Sequence, residues 1–269
     1  MQIAIISSTK DVASLTIRKE LMKLGFKYSQ DKFEDTFIAI LDTPFNQLRL
    51  YTSKEDSILN EEIDKKIEAD IIVFATRHRS ESGIPSLTVH SPGNLSEAKF
   101  GGKENELCVS AEPFIKKCLA LLEKNKPEGF EAIQEATHHG PLIEKPCFFI
   151  ELGSNETGWK DQKGGEAVAK TIVECFSIEI PEWKTAIALG GPHHGPAFRK
   201  IMIESEYAIS HLAPKYALEK LDEEMILKMI NRSMKKADKI ILDWKGLGQH
   251  KERIVSMAEK TGLEIEKIK

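Results

Sequence analysis

The sequence predicts an α/β fold, a mixed sheet flanked by helices, and three observations carry that prediction. Strand-length apolar runs alternate with segments of helical periodicity from one end of the chain to the other. The composition is that of an ordinary globular protein, 41% hydrophobic against 30% charged over 269 residues, which excludes disorder and collagen. The longest apolar runs, Ile71-Ile72-Val73-Phe74-Ala75 and Cys147-Phe148-Phe149-Ile150, fall far short of the roughly 20 residues that a membrane helix needs. No linker or low-complexity run divides the chain, so residues 1–269 are expected to form a single unit.

The elements follow in order. Residues 2–6 read as a buried strand. Residues 11–24 read as a helix, with Val12, Leu15, Leu21 and Leu24 at helical spacing and a stop at Gly25. Strands are expected at 36–41, 47–51 and 70–76, the last preceded by a charged helix from Asn60 to Ala69. From Arg77 to Asn105 the chain is rich in Ser, Gly, Pro and His. A connection of that length carries function or a short excursion. Helices near 111–124 and 164–175, strands near 147–152 and 185–189, and a helix over 220–237 continue the alternation. The tail repeats it, with a strand at Lys239–Trp244, a helix at Lys251–Lys260 stopped by Gly262, and a strand at Leu263–Ile268.

With 38 Lys+Arg against 42 Asp+Glu the chain carries a formal charge of −4. That balance argues against a protein that coats nucleic acid through phosphate neutralisation, though not against a local basic patch such as Arg77 with Arg79, Lys160 with Lys163, or Arg232 to Lys239. The amino terminus runs from apolar Ile3-Ala4-Ile5-Ile6 straight into Ser7-Ser8-Thr9-Lys10 without the basic start of a secretion signal, so a cytoplasmic location is expected. Cys108, Cys118, Cys147 and Cys175 form no C-x-x-C pair and read as reduced core residues. Any metal must therefore use histidine and carboxylate.

The histidines are unevenly placed. Thr137-His138-His139-Gly140-Pro141 and Pro192-His193-His194-Gly195-Pro196 contain the same His-His-Gly-Pro word, each beside a predicted strand. Strand ends in an open α/β sheet are where ligands bind, and imidazole suits either metal or proton chemistry. A third segment, His78-Arg79-Ser80-Glu81, leaves the strand 70–76 with His and Glu three apart, and His90 follows. By itself that pair reads as a solvated surface turn; with the two repeated words it reads as part of a metal or acid/base site. Glu151 ends an apolar run, where it is either a general base or ligand raised in pKa by desolvation, or a salt-bridge partner. Lys163-Gly164-Gly165 opens a helix whose amide groups either receive a phosphate or are simply capped. His211 either joins the cluster or is a buried structural histidine, and His250 reads as surface. The tryptophans show no interleaving suited to stacking single-stranded bases.

At these residues the sequence resembles the archaeal and plant type of D-aminoacyl-tRNA deacylase, over essentially the whole chain. The likeness rests on Asp11-Val12-Ala13-Ser14, Arg77-His78 through Gly83, Pro85, Leu87-Thr88-Val89-His90, Gly93-Asn94, Ala136 to Pro141, Glu151-Leu152-Gly153-Ser154, Gly190-Gly191-Pro192-His193, Ala213 to Leu218, and Asp243-Trp244-Lys245-Gly246. Where the family often has an aromatic residue after the histidine of the Gly-Gly loop, this chain has His194, so His193 is weighted over His194.

The resemblance implies a fold related to peptidyl-tRNA hydrolases and phosphorylases. It also implies a zinc-dependent hydrolase that cleaves the ester of D-aminoacyl-tRNA into free tRNA and a D-amino acid, a detoxification or quality-control role in translation. Its partner would be D-aminoacyl-tRNA, with no membrane, no DNA and no obligate protein partner. The candidate zinc ligands are His78, Glu81, His138 and His193; His139 and Glu151 are the acid/base candidates; Ser14, Arg77, Lys163, Gly164 and Gly165 are the substrate or tRNA contacts. Two other classes stay open on the residues alone: a metal-dependent amidohydrolase or peptidase acting on a small substrate, and a tRNA- or nucleotide-binding module without catalysis.

Overall fold

Apolar runs from the two halves of the chain become strands of two different sheets in the computed structural model, which describes Met1 to Lys269. The larger sheet takes β1 (Gln2–Ser8), β2 (Lys27–Phe33), β3 (Thr36–Asp42), β4 (Gln47–Ser53), β5 (Ile71–Arg79), β6 (Ser86–His90), β7 (Glu131–Gln134) and β8 (Cys147–Ser154), in the spatial order β2-β3-β4-β1-β5-β8-β6-β7. It is mixed: β4, β1, β5 and β8 run parallel, whereas β2–β3, β3–β4 and β6–β8 are antiparallel. The smaller sheet, β9 (Lys184–Leu189), β10 (Tyr207–Ala213), β11 (Lys239–Asp243) and β12 (Glu264–Ile268), is wholly parallel in the order β10-β9-β11-β12.

The helices are α1 (Val12–Lys23), α2 (Ile63–Lys66), α3 (Glu112–Asn125), α4 (Glu156–Trp159), α5 (Gln162–Phe176), α6 (Pro196–Glu204), α7 (Glu223–Asn231) and α8 (Lys251–Lys260). Asp11, Asp161 and Asp222 cap α1, α5 and α7 by accepting from the amides of Ser14, Gly164 and Met225, each cap contributing about 1 kcal/mol. The central strands β1, β5 and β8 are covered on both faces and therefore read as continuous apolar runs. The largest apolar cluster contains Ile3, Ile5, Val73 and Ile150 of one sheet together with Ala186, Ala188, Ile209 and Ile241 of the other. No helix is long and apolar enough to cross a membrane.

Several expectations change. The helix expected over 60–69 shrinks to the single turn of α2, because Ile67 is already extended on its way into β5 and the Asp64 carboxylate accepts from Glu144 N. The helix expected over 220–237 stops at Asn231: Arg232 turns away, its carbonyl accepting from Ser110 N and its guanidinium donating to Leu107 O. The segment 77–105 is not loop throughout, since it contains β6, buried between β8 and β7. The polar strand β2 shows too little apolar alternation to be read from sequence, and α6 hides behind Gly195-Pro196, where proline occupies the first helical turn.

Candidate active site

The site begins with register. Thr76 on β5, Glu151 on β8 and Thr88 on β6 lie side by side across three adjacent strands. The Glu151 carboxylate accepts from Thr76 Oγ1 at 3.1 Å and Thr88 Oγ1 at 3.2 Å. Because side chains alternate with period two, His78 and His90 fall on the face of Thr76 and Thr88, one on each side of Glu151. His78 Nδ1 lies 3.5 Å and His90 Nε2 3.6 Å from its oxygens.

The remaining groups come from two loops that pair through their backbones. Glu135 prolongs β7, and Ala136 N donates to His193 O in the loop after β9; Glu135 and His194 form an antiparallel bridge. This pairing joins the two His-His-Gly-Pro words. Glu135 lies 2.7 Å from His78 Nδ1, 3.2 Å from His193 Nε2 and 3.5 Å from His138 Nε2, and His139 Nε2 is 4.0 Å from Glu151. Six histidines and two carboxylates thus converge at the carboxyl ends of β5 and β9 and around β6 and β8. Most of these residues line a cavity of about 570 Å³ that also includes Asp11, Asp56, Arg77, Arg79 and Phe100.

The electrostatics follow from burial and pairing. Burial works against the charged form of His78, but Glu135 and Glu151 override it and push its pKa up to about 10. Burial would also raise Glu135 and Glu151, yet the neighbouring histidines hold both carboxyls below the usual range. His138 and His139 go the other way: burial and adjacent imidazoles push His138 well down and His139 to about 4, so both are neutral at pH 7.

The donor set suits a metal ion. His138 Nδ1 meets Ala136 O at 2.8 Å and His139 Nδ1 meets Gly140 O at 2.6 Å. A carbonyl only accepts, so each Nδ1 carries the proton and each Nε2 presents a lone pair to the cluster, which is how metal-binding histidines are held. His78 Nε2, His90 Nε2 and Glu135 Oε1 are buried without a hydrogen-bond partner; the close approach of Glu135 Oε1 to His78 lacks hydrogen-bond alignment. Overlapping triplets place their ligand atoms within 4.8 Å of one another, among them His78–Glu135–His194, Glu135–His138–His193 and His90–His138–His139.

Of the residues singled out from sequence, His78, His138, His139, His193 and Glu151 come together. Glu81 does not: β5 continues to Arg79, leaving Glu81 exposed on the cavity rim and outside every converging triplet. Ser14 is buried in the first turn of α1, where its hydroxyl accepts from Ser8 N. Arg77 lines the cavity, paired with Asp56 at 2.8 Å and Asp11 at 3.5 Å. Gly164 and Gly165 are taken up by packing: an added Cβ would lie 2.6 Å from Leu152 Cδ1 or 2.8 Å from Thr16 Cγ2, and Asp161 already caps this helix. Lys163 is exposed beside them and does not line the cavity. His211 sits apart, buried between Thr137 Oγ1 and Arg232 O. In the basic run, Arg232, Lys235 and Lys239 are engaged by Glu144, Glu182, Glu264 and Glu266. Sequence reasoning missed Glu135, although Glu135-Ala136-Thr137-His138 carries the same three-residue spacing, reversed, that drew attention to His78 and Glu81.

A sequence profile described as D-aminoacyl-tRNA deacylase matches residues 65–266, which contain all six clustered histidines and both carboxylates. The chain belongs to the D-aminoacyl-tRNA deacylase family. Curated members of that family from Pyrococcus abyssi and Thermococcus kodakarensis are 37% and 36% identical, each alignment covering 97% of this chain and 98% of the relative. A member from Archaeoglobus fulgidus is 35% identical over 98% of this chain and 96% of its own length. Among solved structures, a crystal structure of a conserved protein of unknown function, AF0625, superposes with a TM-score of 0.87 at 32% identity, covering 99% of this chain and 95% of that one. The α/β architecture is therefore shared along with the sequence.

Proposed function

We propose that this protein hydrolyses the ester bond of D-aminoacyl-tRNA with the help of zinc held in the histidine cluster, returning free tRNA and a D-amino acid and so clearing mischarged tRNA. The substrate comes from the family; the observation that carries the chemistry is the convergence of six imidazoles on the buried carboxylates of Glu135 and Glu151. A site with nitrogen and oxygen donors and no thiolate matches the ligands of hydrolytic zinc. The four cysteines are all buried and free, away from it.

Glu135 belongs to three triplets that share no histidine; one joins it to His90 and Glu151, and in the other two its partners are histidines alone, His78 with His194 and His138 with His193. A carboxylate common to two donor sets fits a pair of ions. These residues are the proposed zinc donors, with Glu135 in the role expected of Glu81. Bound there, zinc supplies a Lewis acid for the ester carbonyl and lowers the pKa of water to near 7.

The other groups handle protons and position. Glu151, ionised and fixed between two threonine hydroxyls, orients the attacking water. His139, neutral at pH 7 with its free Nε2 turned toward Glu151, takes the proton at that atom and returns it to the departing ribose oxygen. Ester and water thereby become acid and alcohol without a covalent enzyme intermediate. Once the carbonyl and the α-amino group are fixed, the side chain has one permitted direction, and inverting the α-carbon drives it into the wall.

The test is to time D-tyrosyl-tRNA and L-tyrosyl-tRNA side by side with zinc present. The D ester should be cleaved at least about a hundredfold faster, since a misplacement of about 1 Å costs that much. Equal rates, or release from neither, would remove this reading and favour a small-molecule hydrolase.

A further inference from the structure

The floor and the mouth of the cavity differ in chemistry. The floor carries Glu135 and Glu151, which repel a phosphate. At the mouth stands Phe100, 67% exposed and, with Ile58, one of two apolar residues lining the cavity. Its backbone is fixed: Phe100 O accepts from Gly140 N at 2.9 Å, Gly101 O accepts from Asn94 Nδ2 at 2.9 Å, and Gly102 N donates to Glu61 at 2.7 Å. Gly140 directly follows His139, so the ring is tied to the catalytic turn. An exposed phenyl group on a rigid backbone beside a polar site presents a flat apolar face to whatever enters. Tyr28, Phe37 and Phe45 are also exposed, but they line no part of this cavity.

The second feature is Arg79, the last residue of β5. It lines the same cavity, is exposed, and makes no ion pair or side-chain hydrogen bond, whereas Arg77 is occupied by Asp56 and Asp11.

We propose that the mouth seats the 3′-terminal nucleotide of the tRNA, its adenine stacked on Phe100 and its 5′ phosphate met by Arg79, so that the aminoacyl ester hangs into the histidine floor. This rests on the deacylase reading and adds the subsite that delivers the ester. Stacking on an aromatic face is sequence-tolerant, and a terminal adenosine is common to every tRNA, so the platform serves any acceptor stem.

The experiment compares wild type, Phe100→Leu, Phe100→Trp and Arg79→Gln in two assays. In equilibrium binding, an unacylated RNA minihelix ending in CCA is set against the same helix with an abasic terminal riboside. Wild type should bind the intact helix roughly tenfold more tightly, within the range of a base–aromatic stack. Phe100→Leu should lose that preference and Phe100→Trp should keep it. Arg79→Gln should lower the slope of log affinity against log salt by about one.

In deacylation of D-tyrosyl-tRNA, Phe100→Leu should raise KM by the same factor with kcat within about twofold. Equal binding of the two helices by wild type, or a Phe100→Leu variant that retains the preference, overturns the platform whatever the activity. An unchanged salt slope removes Arg79 from the subsite. Failure of wild type to cleave D-tyrosyl-tRNA overturns the deacylase reading instead, and the minihelix result still reports on the base platform.

Discussion

The two His-His-Gly-Pro words spell the same residues and build different structures. In the first, Gly93 N donates to the carbonyls of both His138 and His139, Thr137 N donates to Leu212 O, and each imidazole is pinned at Nδ1 by a main-chain oxygen. His139 even takes a left-handed φ of 46°, a conformation that side chains adopt only when the surroundings enforce it. In the second, Gly195 and Pro196 start α6, and His193 Nδ1 is met by the Tyr216 phenol at 2.9 Å. A carbonyl can only accept and so fixes a tautomer; a phenol can donate or accept and leaves it open. The word makes a histidine pair available, and its partners decide whether the pair is locked or adjustable.

The largest effect should come from removing a locked donor. His138→Ala deletes an Nε2 directed at Glu135 from an imidazole that a main-chain carbonyl pins, so turnover should fall by about a thousandfold or more while the circular-dichroism melt changes little. His194→Ala removes a partly exposed imidazole that is not pinned in this way, and the loss should be nearer tenfold to a hundredfold. Equal losses in single-turnover deacylation would erase the distinction. Chelation should reproduce the His138→Ala loss, and added zinc should reverse it for wild type alone.

The glycines of the two words sharpen the contrast in stability. A Cβ on Gly140 would lie 2.2 Å from Gly102 N, 2.5 Å from Gly101 C and 2.6 Å from Ile58 O, all backbone. On Gly195 it would meet Phe198 Cδ2 at 2.8 Å and Leu212 Cδ1 at 3.3 Å, side-chain rather than backbone atoms. Gly140→Ala should cost about 3 kcal/mol or more and Gly195→Ala about 1 kcal/mol. Denaturant unfolding of both variants checks this, and a Gly140→Ala protein as stable as Gly195→Ala would show that the first word is not clamped.

Sequence carried the fold where burial was complete and the site where chemistry was repeated. β1, β5 and β8 are legible because both faces are covered. β7 is not, because Glu131-Ala132-Ile133-Gln134 is too short and too polar to stand out. His78 and the two words were visible as residue types beside strand ends. The association of Glu135 with all of them depends on a loop-to-loop pairing between residues almost 60 positions apart, which no local pattern encodes. Gly164 and Gly165 stay ambiguous in sequence for the same reason: a glycine at a helix start looks alike whether a phosphate or a neighbouring side chain approaches it.

Acid should loosen the locked word through His211, which lies beneath it and contacts Thr137 Oγ1 at 3.2 Å. Burial pushes His211 down to about 4, against a main-chain contact to Arg232 O that favours the charge. The folded value lies below the unfolded one near 6.5, so the unfolded chain takes up this proton first as pH falls. The contribution is therefore complete above about pH 6.5 and is lost as pH drops toward 4, amounting to about 3 kcal/mol. Stability measured across that window should fall more steeply in wild type than in His211→Gln. Parallel curves would take His211 out of the acid response.

The smallest effect should appear where the adjustable word is held. Tyr216→Phe removes only the hydroxyl that meets His193 Nδ1, leaving the ring stacked on the imidazole with centroids 6.2 Å apart. The His193 ring then keeps its place near Glu135 Oε2 but loses the one side chain that holds its Nδ1. Outer partners of this kind tune metal affinity by about tenfold or somewhat more, so half-maximal activity should need about ten times more free zinc, with the rate at saturating zinc close to wild type. No side-chain substitution can do the same to His138 or His139, because their partners are main-chain oxygens. A zinc titration of Tyr216→Phe that overlays the wild-type curve would mean that His193 is positioned by the Ala136–His193 backbone pairing alone, and the two words would then be equally locked.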